Sequence, residues 1–200
     1  MWDERYAAAD FVYGTEPNDF LVRVSGLIPP GKVLCLAEGE GRNAVFLAKR
    51  GHRVVAVDSS AVGLAKAERL AAENGVRIET VTADLANFVI EPGGWDAIVS
   101  IFCHLPPTLR RAVHRQVVQG LRPGGLFVLE AYTPAQLKMG TGGPPSAELM
   151  MTLAELREEL AGLEFLEARE TERNVVEGRF HTGRGAVVQI VARRPNVPIG

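Results

Sequence analysis

Cysteine is scarce: the 200 residues hold two, Cys35 and Cys103. Neither a C-x-x-C nor an H-E-x-x-H spacing occurs, so there is no disulfide framework and no metal motif. Both cysteines lie in apolar stretches and read as small buried hydrophobes. No apolar run approaches the ~20 residues of a membrane span. The opening Met1-Trp2-Asp3-Glu4-Arg5 is charged and lacks the apolar core of a signal peptide. Charge of one sign is also missing: 22 Lys and Arg face 24 Asp and Glu, a net charge of −2. A basic stripe for a phosphate backbone is therefore absent. These absences predict a cytoplasmic, reduced chain, a monomer or weak homodimer, with a small-molecule partner and no nucleic acid, membrane or metal.

What is present is ordinary globular material, 46% hydrophobic and 23% charged. One domain over 1–193 is expected, with a helical cover segment over 1–30, a candidate lid loop over 133–151 and a tail over 194–200. Short β-rich runs alternate with helical patterns, which predicts an α/β fold with a mostly parallel sheet. A helix starting at Pro17-Asn18-Asp19 would carry Phe20, Leu21, Val24 and Leu27 on one face. Strands are expected at Lys32–Ala37, Arg53–Val57, Val76–Thr82, Trp95–Phe102 and Leu126–Ala131. The helices between them run from Asn43 to Arg50, from Ser59 or Ser60 to Asn74, and from Pro106 to Leu121. Thr152 and Glu155 form a capping-box pattern for a further helix. Two closing strands, near Leu163–Arg169 and Ala186–Ala192, are joined by a polar connection that carries His181.

Gly39-x-Gly41-x-x-Ala44 follows a predicted strand and opens a helix. In that setting the glycines let a ligand approach the backbone, and the helix N-terminus offers N–H groups to an anion. Asp58 closes the next strand, where a carboxylate can accept from both hydroxyls of a ribose; facing a cleft, it is expected to support no core. Glu38, directly before the first glycine, would repel a pyrophosphate and suits a cationic ligand. Asp84, after the third strand, sits where an adenine amino group could be read. A dinucleotide is thus disfavoured against S-adenosylmethionine, whose ammonium and sulfonium are cationic.

Val33-Leu-Cys-Leu-Ala-Glu-Gly-Glu-Gly-Arg-Asn43 resembles the first motif of class I S-adenosylmethionine-dependent methyltransferases, with Cys35 and Ala37 standing where Asp and Gly are usual. The opening Trp2-Asp-Glu-Arg-Tyr6, the segment Tyr13-Gly-Thr-Glu-Pro-Asn18 and Thr141-Gly-Gly-Pro144 are similar to the tellurite-resistance and thiopurine methyltransferase-like branch. The resemblance implies a Rossmann-like, seven-stranded, mostly parallel sheet of order 3-2-1-4-5-7-6, its last strand antiparallel, with helices on both faces. It implies S-adenosylmethionine as cofactor. Gly39 and Gly41 would line its methionine part, Asp58 its ribose, and Asp84 with Leu85 its adenine. Tyr13, Glu38, Asn43, Ser59 and Phe102 complete the implied cofactor site. Ala37 implies a loop that tolerates a Cβ, and Glu38 takes on the organising role of the missing Asp.

A sulfonium methyl is already activated, so a soft acceptor such as a thiolate, selenolate, tellurite or arsenite species needs only to be held in line with it. An amine or hydroxyl needs a base. The candidate is His104, just past the fourth strand. Two other readings stand beside methyl transfer to a small molecule: an NAD(P)-dependent oxidoreductase, and a non-catalytic cofactor-binding regulatory module.

Overall fold

The computed structural model describes residues 2–178 and 181–196, His181 by its backbone alone. Seven strands form one sheet: β1 (Lys32–Leu36), β2 (Arg53–Asp58), β3 (Glu79–Thr82), β4 (Trp95–Ile101), β5 (Leu121–Tyr132), β6 (Glu164–Glu177) and β7 (His181–Arg193). Their order is β3-β2-β1-β4-β5-β7-β6, with β1 to β5 parallel and β7 antiparallel to both neighbours. That is the expected sheet.

The central strands are buried on both faces, which is why they read as unbroken apolar runs rather than alternating ones. Leu34, Ile98, Phe127 and Leu129 pack on one side; Val33, Ala97, Val99 and Val128 pack on the other. Each large side chain so buried stabilises the fold by roughly 1.5–3 kcal/mol. Helices α3 (Arg42–Lys49), α4 (Ala61–Glu73) and α5 (Pro107–Gly120) are the crossovers. Ser60 caps α4 by accepting from the Gly63 N–H, and α6 (Leu153–Glu159) opens with both bonds of the Thr152–Glu155 capping box.

Several expectations need correction. The first helix proper is α1 (Trp2–Tyr6), and α2 (Asp19–Val24) ends in a 3-10 turn that leaves Leu27 57% exposed rather than on the buried face. Ladder pairing of β3 starts only at Glu79, not Val76. Strand β5 begins at Leu121, because Arg122–Gly125 bulge out between two stretches that both pair with β4. The polar connection between the closing strands is itself ladder: β6 and β7 pair from Glu164↔Arg193 to Glu177↔His181. Its polar residues alternate, one set turned inward to partners and the other to solvent. The segment 133–151 holds two 3-10 turns, Pro134–Lys138 and Ala147–Leu149, and is bound to the sheet at several points.

Candidate active site

The loop from β1 into α3 turns three times through left-handed backbone: Ala37 has φ +49, Gly39 φ +62 and Gly41 φ +89. A Cβ on Gly39 would stand 2.6 Å from the Tyr6 hydroxyl, and one on Gly41 would meet Ala67 at 2.5 Å. Both glycines are therefore dictated by space as well as by φ. Ala37 carries its Cβ at the strained position, so the loop holds that residue against its preference rather than relaxing around it.

Glu38 does not face outward as a bare charge. One carboxylate oxygen accepts from the N–H groups of Asn43 (3.0 Å) and Ala44 (2.8 Å), capping α3 from inside. Burial pushes this carboxyl up to about 7 despite those bonds and the nearby Arg42. The expected free helix N-terminus is thus taken. This corrects the anion-binding expectation and adds to the case against a pyrophosphate. Cys35 lies under the loop, its thiol pushed up by burial and by the adjoining Glu38.

Asp58 closes β2 and accepts from the Gly39 N–H and the Ser60 N–H, each at 2.8 Å. It is a strut between the glycine loop and α4, which corrects the expectation that it supports nothing. Burial raises its carboxyl above the usual range, against the lowering effect of those bonds. Ser59 beside it is exposed. Asp84 is exposed after β3, one oxygen accepting from the Ala86 N–H at 2.8 Å, while Leu85 is buried in the core. Four of the expected ligand contacts, Gly39, Asp58, Ser59 and Asp84, therefore lie along the carboxyl edge of β1, β2 and β3.

The N-terminal segment covers this edge. Asp3 accepts from the Ser60 hydroxyl at 2.5 Å, which seats α1 on the start of α4. Tyr6 is buried against Gly39 and Gly63, with Trp2 stacked on it at 5.8 Å and Tyr13 edge-on at 6.3 Å. Tyr13 accepts at its hydroxyl from Arg5. Glu40 takes the N–H groups of Val12 (2.8 Å) and Tyr13 (3.2 Å), and Lys66 pairs with it at 2.7 Å while donating to the Asp10 carbonyl. Asn43, expected at the cofactor, instead accepts from the Asn18 N–H at 2.9 Å and holds the cover.

A second cluster closes the far end of the cover. Asn18 donates to Glu130 (2.8 Å) and Glu177 (2.7 Å); Arg173 meets both carboxylates; Arg42 meets Glu177 at 2.5 Å; and Gln189 donates to Glu130. Two carboxylates and two guanidinium groups balance in a nearly dry space. Arg42, foremost among the nearby charges, holds the Glu177 carboxyl below the usual range against the opposing effect of burial.

On the other side of the β4 end lie Phe102, His104 and Tyr132. Phe102, with φ +52, is a bulky residue on left-handed backbone; it stacks on Tyr132 at 4.6 Å, and Tyr132 stacks on His104 at 5.7 Å. His104 Nδ1 lies 2.8 Å from the Leu149 carbonyl, and Nε2 accepts from the Tyr132 N–H at 3.4 Å. A carbonyl only accepts and an amide only donates, so the ring is neutral with its proton on Nδ1. Desolvation, with Arg110 adding, lowers it to about 4. The expectation of a base at this position is corrected on that ground: both nitrogens are committed, and a second proton would face an N–H. Arg110 fastens the same loop through the Met150 carbonyl at 2.9 Å. Cys103 is buried, its thiol pushed up to about 12. The side chain of His181 lies outside the described residues. Among the described residues no group of three His, Cys, Asp or Glu could hold a metal ion, and no helix is long and apolar enough to cross a membrane.

The sequence reading missed Glu40, Lys66, Asn18, Arg42, Glu130, Arg173 and Glu177. One signal was available for Glu130: a charge inside the apolar run Leu126–Tyr132 must be paired if the run is buried. The others sit in polar stretches where nothing marks a buried ion.

Comparison with known proteins agrees with this geometry. A family model described as a methyltransferase domain matches residues 33–125, the segment from β1 to the bulge of β5. A 2-heptyl-1-hydroxyquinolin-4(1H)-one methyltransferase of Mycobacteroides abscessus is 31% identical over 117 residues, covering 57% of this chain and 52% of that protein. The chain thus spans about half the length of this curated relative. A structure described for the conversion of a disulfide bond into a thioacetal group during echinomycin biosynthesis superposes with a TM-score of 0.77 at 20% identity, over 99% of this chain and 92% of that one. TehB from Haemophilus influenzae superposes with a TM-score of 0.73 at 21% identity, over 96% of this chain and 65% of that one. At those identities the structures speak for the fold.

Proposed function

We propose that this chain, which carries a methyltransferase domain on the class I fold, transfers a methyl group from S-adenosylmethionine to a small-molecule acceptor that arrives already ionised. The observation that carries the reading is Glu38 turned into the start of α3 behind the glycine loop, with Asp58 beside it. A pyrophosphate would find the α3 N–H groups taken and two carboxylates near; a cationic ligand finds a complementary field. Gly39, which lies under Tyr6 with no side chain of its own, offers bare backbone to the methionine portion; Asp58 accepts from the ribose with the oxygen lone pairs its two N–H bonds leave; Asp84 offers its second oxygen to the adenine amino group. When bound, S-adenosylmethionine supplies a methyl on a sulfonium, which needs no further activation.

The protein's part is then positioning and exclusion of water. Tyr6 and Tyr13 roof the cradle and the Phe102–Tyr132 stack walls the acceptor side. Glu38, raised to about 7, is turned into α3 behind the glycine loop, and the acceptor wall offers no free base. His104 is held neutral, Cys103 is pushed to about 12, Tyr132 is raised by burial, and Arg42 holds Glu177 below the usual carboxylate range against the effect of burial. An acceptor that ionises by itself fits this wall; an alkyl amine or alcohol does not. Thiolates and selenium, tellurium or arsenic oxyanions belong to that class, and so does an acidic N-hydroxy heteroaromatic.

The test is a labelled-methyl transfer screen over thiols, selenite, tellurite, arsenite, N-hydroxyquinolones, alkyl amines and alkyl alcohols. Transfer confined to acceptors ionised at the assay pH is expected. Turnover of alkyl amines as the preferred class overturns the acceptor reading, and tight NAD binding with none of S-adenosylhomocysteine overturns the cofactor.

A further inference from the structure

A second opening lies at the other edge of the sheet. The amino ends of β1, β2 and β3 border a groove of about 410 Å³, within the size range of small-molecule sites. Lys32, Arg53, Arg77 and Glu79 line it, with Val55 and Ile78 contributing its apolar lining. Because the strands are parallel, this edge faces away from Asp58 and the glycine loop. The strands here are four to six residues long, so the two openings are separated by roughly 15–20 Å.

Next to the groove the chain runs from β3 to β4 through turns around Asp84 and Gly93 rather than through a helix. Its charge is unbalanced. Lys32 pairs with Glu91 at 3.9 Å, which leaves two guanidinium groups facing one carboxylate, Glu79, and among the described residues neither Arg53 nor Arg77 pairs its guanidinium with any group. Several arginines of this chain are matched to acids, as in Arg23–Glu167, Arg122–Asp96, Arg184–Glu172 and Arg193–Glu164, whereas Arg50 and Arg157 instead lie over the Phe46 and Phe165 rings. Lys32 is held in place, its ammonium 4.3 Å from the centre of the Trp95 ring. Lys32 and Arg53 are register partners on adjacent strands, and Arg77 enters the next strand beyond. Strands lie about 4.8 Å apart, so the cations form a row about 10 Å long on low-dielectric walls.

We infer that this groove binds a small molecule carrying a diphosphate group. A single carboxylate would engage one cation of the row; a diphosphate reaches two or three, and guanidinium groups bind phosphate oxygens in bidentate fashion. Ile78, half-buried, leaves apolar surface beside the charges for the body of such a molecule. The site is independent of the methyl-transfer reading.

Titration calorimetry with inorganic pyrophosphate, and separately with citrate, tests it on the full chain. Saturable one-site binding of pyrophosphate is expected, weakened at least tenfold in Arg53→Gln/Arg77→Gln. The urea midpoint, measured on the same two proteins, should agree, which shows the variant folded. Absence of saturable pyrophosphate binding overturns the inference. So does equal affinity in the variant, and so does citrate binding as tightly as pyrophosphate, which would make the groove a general polyanion site.

Discussion

The Glu40 carboxylate and the Lys66 ammonium meet at 2.7 Å, both side chains buried, and through them the first residues of the chain are tied to α4. Among the described residues Lys66 is the ion partner that offsets the charge Glu40 brings in to hold the Val12 and Tyr13 N–H groups. Breaking a buried pair from one side leaves an uncompensated ion, at a cost of about 3–5 kcal/mol. Lys66→Met should therefore lower the urea midpoint and expose residues 2–14 to protease. Adding Glu40→Gln keeps an acceptor for both N–H groups and removes the stranded charge, so the double variant should recover much of the loss. A double variant no better than Lys66→Met would show that the ion pair is not what holds the cover.

Asp58→Ala removes a carboxylate that serves the loop as well as the proposed ribose contact. Loss of charge-assisted hydrogen bonds should weaken S-adenosylhomocysteine binding by about 1.5–3 kcal/mol. The variant should also melt lower without cofactor, because the Gly39 and Ser60 N–H groups lose their acceptor. Calorimetry and a melting curve read the two effects separately. Unchanged affinity would remove Asp58 from the cofactor site, and an unchanged melting temperature would remove it from the frame.

The central strands β1, β2 and β4 were legible because they are apolar, short and bounded by Gly, Pro and Asp, signals that survive without any tertiary information. The glycine loop was legible for the same reason: Gly39 and Gly41 are demanded by local backbone shape. What local pattern could not tell was where polar side chains go. Glu38 reads as a charge beside a ligand until the turn is built and its carboxylate is found inside α3. His104 reads as a base until Leu149, 45 positions on, supplies a carbonyl to one nitrogen. The long β6–β7 ladder was hidden because its inward partners, Arg173 and Glu177, are charged and so look like a solvated connection.

For His104 the structure predicts a fastening role. Its value of about 4 lies below the ordinary 6.5, so between those values the unfolded chain takes up a proton that the folded one refuses. Its contribution to stability is present above about pH 6.5 and is lost as pH falls towards 4. His104→Asn should flatten that part of the stability–pH curve. Its kcat should show no new pH dependence between 6 and 7. Loss in the variant of a kinetic limb with a midpoint at pH 6–7 would restore the histidine as a base.

Glu38 gives the opposite slope. Burial raises its carboxyl from 4.5 to about 7, so the folded state holds a proton that the unfolded chain releases. The stability it lends is complete below pH 4.5 and declines as pH rises through 7. Glu38→Gln keeps an oxygen to accept from the Asn43 and Ala44 N–H groups and has no proton to lose. The variant should match the wild type near pH 4.5 and exceed it at pH 8, read as urea midpoints. Cofactor binding should move the other way: with the carboxylate gone, the cationic S-adenosylmethionine should lose more affinity at pH 8 than neutral-sulfur S-adenosylhomocysteine. Equal losses for the two ligands would mean that the Glu38 charge acts on the loop alone, and parallel stability curves would mean that it is ionised throughout.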